Sequence, residues 1–238
     1  MNISVKPATV KDISSWRDLY REEMNCQIVH DNMHARAGWT QPYRIEMEGA
    51  AAGYASVLIG GPWTGTRTVF EFYLAPAWRS RMFDGFERFL AASEATAMTV
   101  QTNDAALMVM LHLWGRNIDT EKIIFADKLF TAHRVEGAVL RQRGELEQDW
   151  VVEMDGAVAA NGGILYHYNR PYGDIYMEVA EGYRRRGLGS YLVQELKRIC
   201  YEGGSIPCAR CSPDNEASRK TLQMAGFVPC ALLLNATL

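Results

Sequence analysis

The stretch best suited to chemistry in this sequence combines arginines and glycines at the start of a helix pattern. It reads Val-Ala-Glu-Gly-Tyr-Arg-Arg-Arg-Gly-Leu-Gly-Ser over residues 179–190 and follows an apolar strand pattern. Backbone N–H groups at a helix N-terminus bind anions, and glycines allow a close approach because they have no Cβ. Arginine adds charge-assisted hydrogen bonds to phosphate oxygens. The stretch predicts a phosphate-binding loop; the alternative is a strand-to-helix turn whose glycines serve close packing.

A second motif follows 26 residues after Gly189, where Asn215-Glu216-Ala217-Ser218 opens a helix that Ala225-Gly226-Phe227 closes. With this motif the chain resembles the GNAT superfamily of acyl-CoA-dependent N-acetyltransferases. The resemblance covers residues 150–234 well, and Glu181 stands where the family has a proline. The residues in register with the family pattern are Val179, Tyr183, Arg184, Gly187, Gly189, Asn215, Ser218, Gly226 and Phe227.

The resemblance implies acetyl-CoA as co-substrate and no metal. In the family, the loop holds the pyrophosphate, the strand before it pairs with the pantetheine arm, and the later asparagine helix lies along the lower arm. The cofactor-binding residues implied in this sequence are Met177, Glu178, Val179, Arg184, Arg185, Arg186, Gly187, Leu188, Gly189, Ser190, Asn215 and Ser218.

The implied reaction is the direct transfer of an acetyl group to an amine, but this sequence departs from the family at the proton-transfer positions. The acid is commonly a tyrosine seven residues after the asparagine, and here that residue is Leu222. The usual positions of the base are taken by other residue types, namely Gly173, Ile175 and Arg210. The family's general acid and base are therefore not recognisable in this chain.

The acidic side chains left on the key strand are Asp174 and Glu178, with Tyr176 between them on the same strand face. Our hypothesis is that Glu178 is the catalytic base, directly or through a water molecule. The alternative is that Glu178 is a solvated or ion-paired strand residue.

An internal repeat extends this interpretation to nearly the whole chain. Glu46-Met47-Glu48-Gly49 recurs as Glu153-Met154-Asp155-Gly156, and each copy lies between two strand patterns, as in a hairpin turn. Trp78-Arg79-Ser80-Arg81 recurs as Tyr183-Arg184-Arg185-Arg186. Strand and helix patterns alternate as in an α/β protein with a mixed sheet. With the resemblance, this predicts two tandem GNAT folds over residues 1–130 and 131–238, each a mixed, mostly antiparallel sheet flanked by helices.

The first copy has lost the features that would bind a phosphate. Met82 and Asp84 occupy the positions of Gly187 and Gly189, although Pro76 matches the family proline. A Cβ would block the close approach, and a carboxylate at the helix start would repel a pyrophosphate. We expect a degenerate copy that keeps the fold without the cofactor, and one coenzyme per chain.

Composition narrows the classes of protein. Of the 238 residues, 48% are hydrophobic, and the formal net charge is −3, so we expect neither a nucleic-acid nor a membrane partner. The five cysteines are an odd number, which does not suggest a disulfide framework, and Cys208-x-x-Cys211 has no matching second pair that would indicate zinc. We expect a cytoplasmic protein, a monomer or homodimer.

These observations favour an enzyme that acetylates the amine of a small molecule or peptide. Two alternatives stay open: a non-catalytic acyl-CoA-binding or sensing protein, and an acyltransferase that uses a longer acyl chain or a non-amine acceptor.

Overall fold

The structure, a computed structural model, describes residues 2–24, 30–143, 149–168 and 170–238. The chain divides into two compact units. The first unit contains Met1–Glu121 and Ala231–Leu238, and the second contains Lys122–Cys230. The two stretches of the first unit are therefore separated in the chain by the whole of the second.

The secondary structure alternates as the sequence predicts. In the first half the elements are β1 (Ile3–Pro7), α1 (Ser14–Met24), α2 (His30–His34), β2 (Thr40–Met47), β3 (Ala50–Leu58), β4 (Thr68–Leu74), α3 (Met82–Ser93), β5 (Ala97–Gln101), α4 (Ala105–Trp114) and β6 (Arg116–Asp127). In the second half they are β7 (Val139–Gln142), β8 (Asp149–Met154), β9 (Ala157–Leu165), β10 (Tyr172–Val179), α5 (Leu188–Glu202), β11 (Ile206–Cys211), α6 (Glu216–Met224) and β12 (Phe227–Thr237). Short 3₁₀ turns, Pro76–Arg81 and Glu181–Tyr183, follow β4 and β10.

The repeated hairpin turns confirm the internal repeat. In each copy both central turn residues have positive φ, 50° and 81° at Glu48 and Gly49, and 53° and 75° at Asp155 and Gly156. Such turns match the right-handed twist of paired strands. Each hairpin also has a register shift near the end of its first strand. The shift lies between Ile45 and Glu46 in one copy and between Val152 and Glu153 in the other.

The sheet of the first unit has the strand order β1-β2-β3-β4-β5-β12. The β4–β5 pair is parallel, and the other pairs with a defined register are antiparallel. Helices α3 and α4 pack on this sheet around Phe86, Phe89 and Leu111, which are fully buried. This is the predicted mixed, mostly antiparallel sheet flanked by helices.

The second unit repeats this arrangement with the order β6-β11-β10-β9-β8-β7. Here β10 and β11 are the parallel pair. Helices α5 and α6 contribute Leu192, Leu196 and Leu222 to a core that includes Phe125 of β6. Among the helices of the described residues, none is long and apolar enough to cross a membrane.

Each unit is completed by a strand from the other half of the sequence. Residues 123–126 of β6 pair with β11 in the second unit. Residues 233–237 of β12 pair with β5 in the first unit, where Leu234 and Ala236 join the core. The boundary predicted at residue 130 therefore lies inside the second unit, because the strand before it belongs to that unit's sheet.

Candidate active site

Strands β10 and β11 separate at the place where the sequence predicts the loop. Their parallel register runs only from Tyr172 to Asp174, whereas β10 stays paired with β9 as far as Val179. The second half of β10 therefore faces a gap on its β11 side. The 3₁₀ turn and the start of α5 follow at this end of the strand.

The loop from β10 to α5 contains two residues with left-handed backbone conformation and ends at an uncapped helix start. Arg185 and Gly187 have φ values of 63° and 79°, in the left-handed region. Gly187 is the N-cap residue of α5, and no side chain caps the helix there. The first N–H groups of a helix have no partner within the helix, so those of α5 need an external acceptor.

Gly189 fits where a larger residue would not. A Cβ on this residue would lie 2.9 Å from Cγ2 of Thr221 and 3.4 Å from Cγ2 of Val179. The helix start is thus packed tightly against α6 and the end of β10. The glycine pattern has both a conformational reason, at Gly187, and a packing reason, at Gly189.

A cleft of about 750 Å³ opens between β10, the loop and α6. It is lined by all of the predicted cofactor-binding residues except Arg186, whose guanidinium lies 5.4 Å from the ring centroid of Tyr183. The sequence did not predict the lining residues Lys220 and Met224. Both lie on α6, and their helical spacing of four residues could have indicated a shared face.

Hydrogen bonds hold the framework of the cleft. Nε of Arg184 donates to the backbone oxygen of Val179 at 3.2 Å, which ties the loop to the end of β10. The side chain of Asn215 accepts a hydrogen bond from the backbone N–H of Ser218 at 3.0 Å and caps α6. Asn215 and Ser218 are therefore positioned together at the cleft wall.

The predicted acidic residues of β10 have different surroundings. Asp174 is buried and accepts hydrogen bonds from Arg210 at 2.6 and 3.1 Å. Burial opposes the charge of Arg210, but Asp174 keeps the pKa of Arg210 above its ordinary value. Glu178 is exposed and has no ion-pair partner among the residues described. Glu178 is thus the more accessible of the two carboxylates.

Leu222, at the position of the family's acidic tyrosine, is 3% exposed and belongs to the core of the second unit. Ile175, at one usual position of the base, is 5% exposed and lies in the same core. Both departures from the family pattern therefore have a packing role, and neither residue type can transfer a proton.

The structure also brings together a polar pair that sequence reasoning missed. The hydroxyl of Tyr176 donates a hydrogen bond to Oδ1 of Asp149, two strands away. Gly163 of β9 lies between them in the register, paired with both residues. Burial, followed by the Asp149 carboxylate, raises the pKa of Tyr176 to about 12, so the phenol is neutral and donates. Only the strand register could have indicated this pair.

The corresponding cleft of the first unit is smaller, about 240 Å³. Its lining includes Met82, at the position of Gly187, and Glu23 of α1. Arg79 corresponds to Arg184 and makes the same bond, from Nε to the backbone oxygen of Leu74 at 3.0 Å. Its Nη2 also donates to both oxygens of Glu23, at 2.6 and 2.8 Å. An internal carboxylate therefore holds the loop arginine of this copy.

Solved structures share this fold over the whole chain. An acetyltransferase of the GNAT family from Colwellia psychrerythraea aligns with a TM-score of 0.79 at 12% identity, covering 100% of this chain and 99% of that one. A tandem GNAT protein from the clavulanic acid biosynthesis pathway aligns with a TM-score of 0.66 at 15% identity, covering 99% and 98%. At these identities the likeness concerns the fold alone.

The sequence itself matches a family over its second half. No curated protein matches the chain in sequence. Residues 118–227, which include the loop, the cleft and both motifs, match the sequence model of the Acetyltransferase (GNAT) family. The chain therefore carries a GNAT-family acetyltransferase domain, within a fold that it shares over its full length with a tandem GNAT protein.

Proposed function

We propose that the chain is an N-acetyltransferase that uses acetyl-CoA and works from the cleft of its second unit. The observation that carries the proposal is the cleft itself, about 750 Å³ in volume, at an uncapped helix start beside a separated strand pair. The family of residues 118–227 supports acyl transfer as the reaction class.

The residues present fit a coenzyme A molecule. The N–H groups at the start of α5, with Arg184 and Arg185, would hold the pyrophosphate, and Arg186 would add positive charge at the rim. The unpaired edge of β10 over residues 177–179 would bind the pantetheine arm as an added strand does. Asn215 and Ser218 would line its lower part. The bound acetyl-CoA supplies an acyl group activated as a thioester.

Glu178 is the proposed base. It is exposed on the β10 face, in the cleft lining, and would take a proton from the ammonium form of the acceptor, directly or through water. The buried Leu222 can supply no proton, so water would serve as the acid. The acceptor is the amine of a small molecule or peptide.

A coenzyme-binding protein without turnover is the second candidate. The observation that favours it is the burial of Leu222 and Ile175, which leaves the usual acid and base positions without a proton-transfer group. A longer acyl chain or a non-amine acceptor remains compatible with the same cleft.

Two measurements on the full-length protein test the proposal. Titration calorimetry with acetyl-CoA should give one site per chain. Thiol release from acetyl-CoA across a panel of amines should give turnover that Glu178→Gln lowers by about 10²-fold without abolishing binding. Binding without turnover for every amine would favour the second candidate, and absence of binding would overturn both.

A further inference from the structure

One face of the second unit's sheet carries polar side chains instead of helices. Both α5 and α6 pack on the face that includes Ile175. The opposite face carries Asp174, Tyr176 and Glu178 along β10, because side chains alternate along a strand. Among the described residues of this unit, no helix packs on that face, and Tyr176 is 38% exposed there.

The carboxylates on this face differ in their ion pairs. Arg210 compensates Asp174 through its Oδ2 atom. In the part of the chain that the structure describes, Asp149 and Glu178 have no ion-pair partner, and the buried Oδ1 of Asp174 accepts no hydrogen bond. Of these carboxylates, Glu178 lines the cleft, and the strand neighbour of Asp149 is the exposed Arg143, whose backbone N–H donates to the backbone oxygen of Asp149 at 2.8 Å.

The corresponding face of the first unit binds an arginine side chain. Glu71 occupies the position of Tyr176 in the repeat, and helix α1 places Arg17 over it. Arg17 is 5% exposed and donates to Glu71 from Nε and Nη2 at 3.2–3.3 Å. Burial opposes its charge, but Glu71 and Asp31 raise the pKa of Arg17 above its ordinary value. In this copy the sheet face holds a cation supplied by the chain itself.

In the second unit, Tyr176 stands at the position of Glu71, and its hydroxyl donates a hydrogen bond to the carboxylate of Asp149. No described helix supplies a cation to this carboxylate. Tyr176 and Glu178 lie two residues apart on the strand, about 7 Å. Asp149 is bound at the tip of the Tyr176 side chain, so a ligand that extends across this face could place one cationic group at Asp149 and an amine at Glu178, next to the gap between β10 and β11.

We propose that the acceptor carries a second positive charge, and that Asp149, oriented by Tyr176, binds that charge while the reacting amine lies at Glu178. This inference rests on the proposed acetyltransferase function. It identifies the substrate class as diamines and other amines with a cationic group a few bonds from the reacting nitrogen. Asp149 and Tyr176 are acceptor-binding residues that set specificity.

Three matched acceptors test the inference in the full-length protein. They are 1,5-diaminopentane, pentylamine and 5-aminopentanoate, which differ only in the distal group. With acetyl-CoA, kcat/KM should be at least about 10-fold higher for the diamine than for pentylamine, and lowest for the amino acid. Asp149→Asn should reduce the ratio of diamine to pentylamine to below about threefold, mainly through the KM of the diamine.

Tyr176→Phe should lower the same ratio by a smaller factor, because it removes the hydrogen bond that orients Asp149. Asp155→Asn is the matched control: Asp155 is an exposed carboxylate at the β8–β9 turn with positive φ, which asparagine also adopts. This variant should keep the wild-type ratio. A wild-type ratio near one, or a ratio that Asp149→Asn leaves unchanged, would overturn the inference.

Calorimetry separates this inference from the proposed function. 1,5-Diaminopentane is titrated into the protein saturated with coenzyme A, and into the free protein if the coenzyme does not bind. Binding that Asp149→Asn weakens by about 10-fold or more supports the acceptor site even without turnover. Absence of binding to the wild type, or equal binding by the variant, overturns it, whereas failure of acetyl-CoA to bind overturns only the proposed function.

Discussion

The two clefts of this chain have the same framework but differ in the partners of their loop arginine. In both, a 3₁₀ turn leads from the parallel-paired strand into a helix, and an arginine bonds the strand-end carbonyl, Arg79 to Leu74 and Arg184 to Val179. In the first unit a glutamate of α1 already binds that arginine. In the second, Arg184 has no ion-pair partner among the residues described.

The difference shows that the fold and the anion site depend on different residues. The strand-end hydrogen bonds and helix packing survive in both copies, whereas the glycines occur only in the second. Met82 lines the first unit's cleft at the position that Gly187 has in the second, and the volumes of the two clefts are about 240 and 750 Å³. The smaller and the larger cleft thus differ at a few side chains around the start of the helix.

The largest expected effect comes from making the second cleft resemble the first. Gly189→Asp introduces the residue of Asp84, and its Cβ would lie 2.9 Å from Thr221 while its carboxylate repels a pyrophosphate. Coenzyme A affinity should fall by about 100-fold or more in titration calorimetry.

Asp84→Asn is the control, since it removes a carboxylate from the equivalent position of the first copy. It should leave both the affinity and the stoichiometry of one unchanged. Two sites per chain in the wild type would show that the first cleft is open to the coenzyme and would contradict the comparison.

The paired arginines give a smaller contrast. Arg184→Ala should weaken coenzyme A binding by about 10-fold, because one charge-assisted contact is lost. Arg79→Ala should leave coenzyme binding unchanged and alter the free energy of unfolding by at most about 1 kcal/mol, since its pair with Glu23 is partly exposed. Equal losses of affinity in the two variants would mean that both loops bind phosphate.

Each unit also has a tyrosine that donates a hydrogen bond to an aspartate, and we expect the two pairs to contribute differently to stability. Tyr20 is 3% exposed and donates to Asp104 at 2.9 Å, whereas Tyr176 donates to Asp149 on an exposed face. Tyr20→Phe should lower the free energy of unfolding by about 1–3 kcal/mol, because it removes a hydrogen bond to a buried carboxylate. Tyr176→Phe should change it by no more than about 0.5 kcal/mol. Urea denaturation measures both, and a reversed order would assign the structural role to Tyr176.

The smallest effect concerns pH. Burial, and after it the Asp149 carboxylate, raises the pKa of Tyr176 from its ordinary value to about 12. Because the folded state favours the neutral phenol, the contribution of Tyr176 to stability is fully present below about pH 10 and is lost as the pH rises through about 12. The difference in unfolding free energy between wild type and Tyr176→Phe should stay constant from about pH 7 to pH 9 and shrink above pH 10. A difference that disappears near neutral pH would contradict this assignment.

The sequence predicts the local features well. The Arg184–Ser190 loop and the hairpin turns at Gly49 and Gly156 are set by residues adjacent in the chain, so their spacing carries the information. The Tyr176–Asp149 pair depends on strand register through Gly163, which no local pattern specifies. The aliphatic side chains that replace the family's acid and base also gave no sign of whether they face the core or the cleft.

Strand partners are likewise beyond local patterns. The strands that close the two repeats, β6 and β12, both read as apolar runs after a helix, and either could complete either sheet. The exchange becomes visible only in the pairing of Cys211 with Ile123 and of Leu233 with Gln101. The predicted domain boundary followed the repeat, and the observed units follow these pairings.

The exchange of β6 and β12 between the two halves of the sequence has consequences for synthesis and truncation of the chain. A ribosome must synthesise all of the second unit before Ala231–Leu238 is available to close the first. A chain cut after residue 130 leaves β5 without its β12 partner, and a chain starting at residue 131 lacks the β6 edge beside β11. Deleting the first 121 residues would expose Leu234 and Ala236 to water. The last strand of the sequence therefore depends on the first copy for its hydrophobic cover, whatever the cleft of that copy binds.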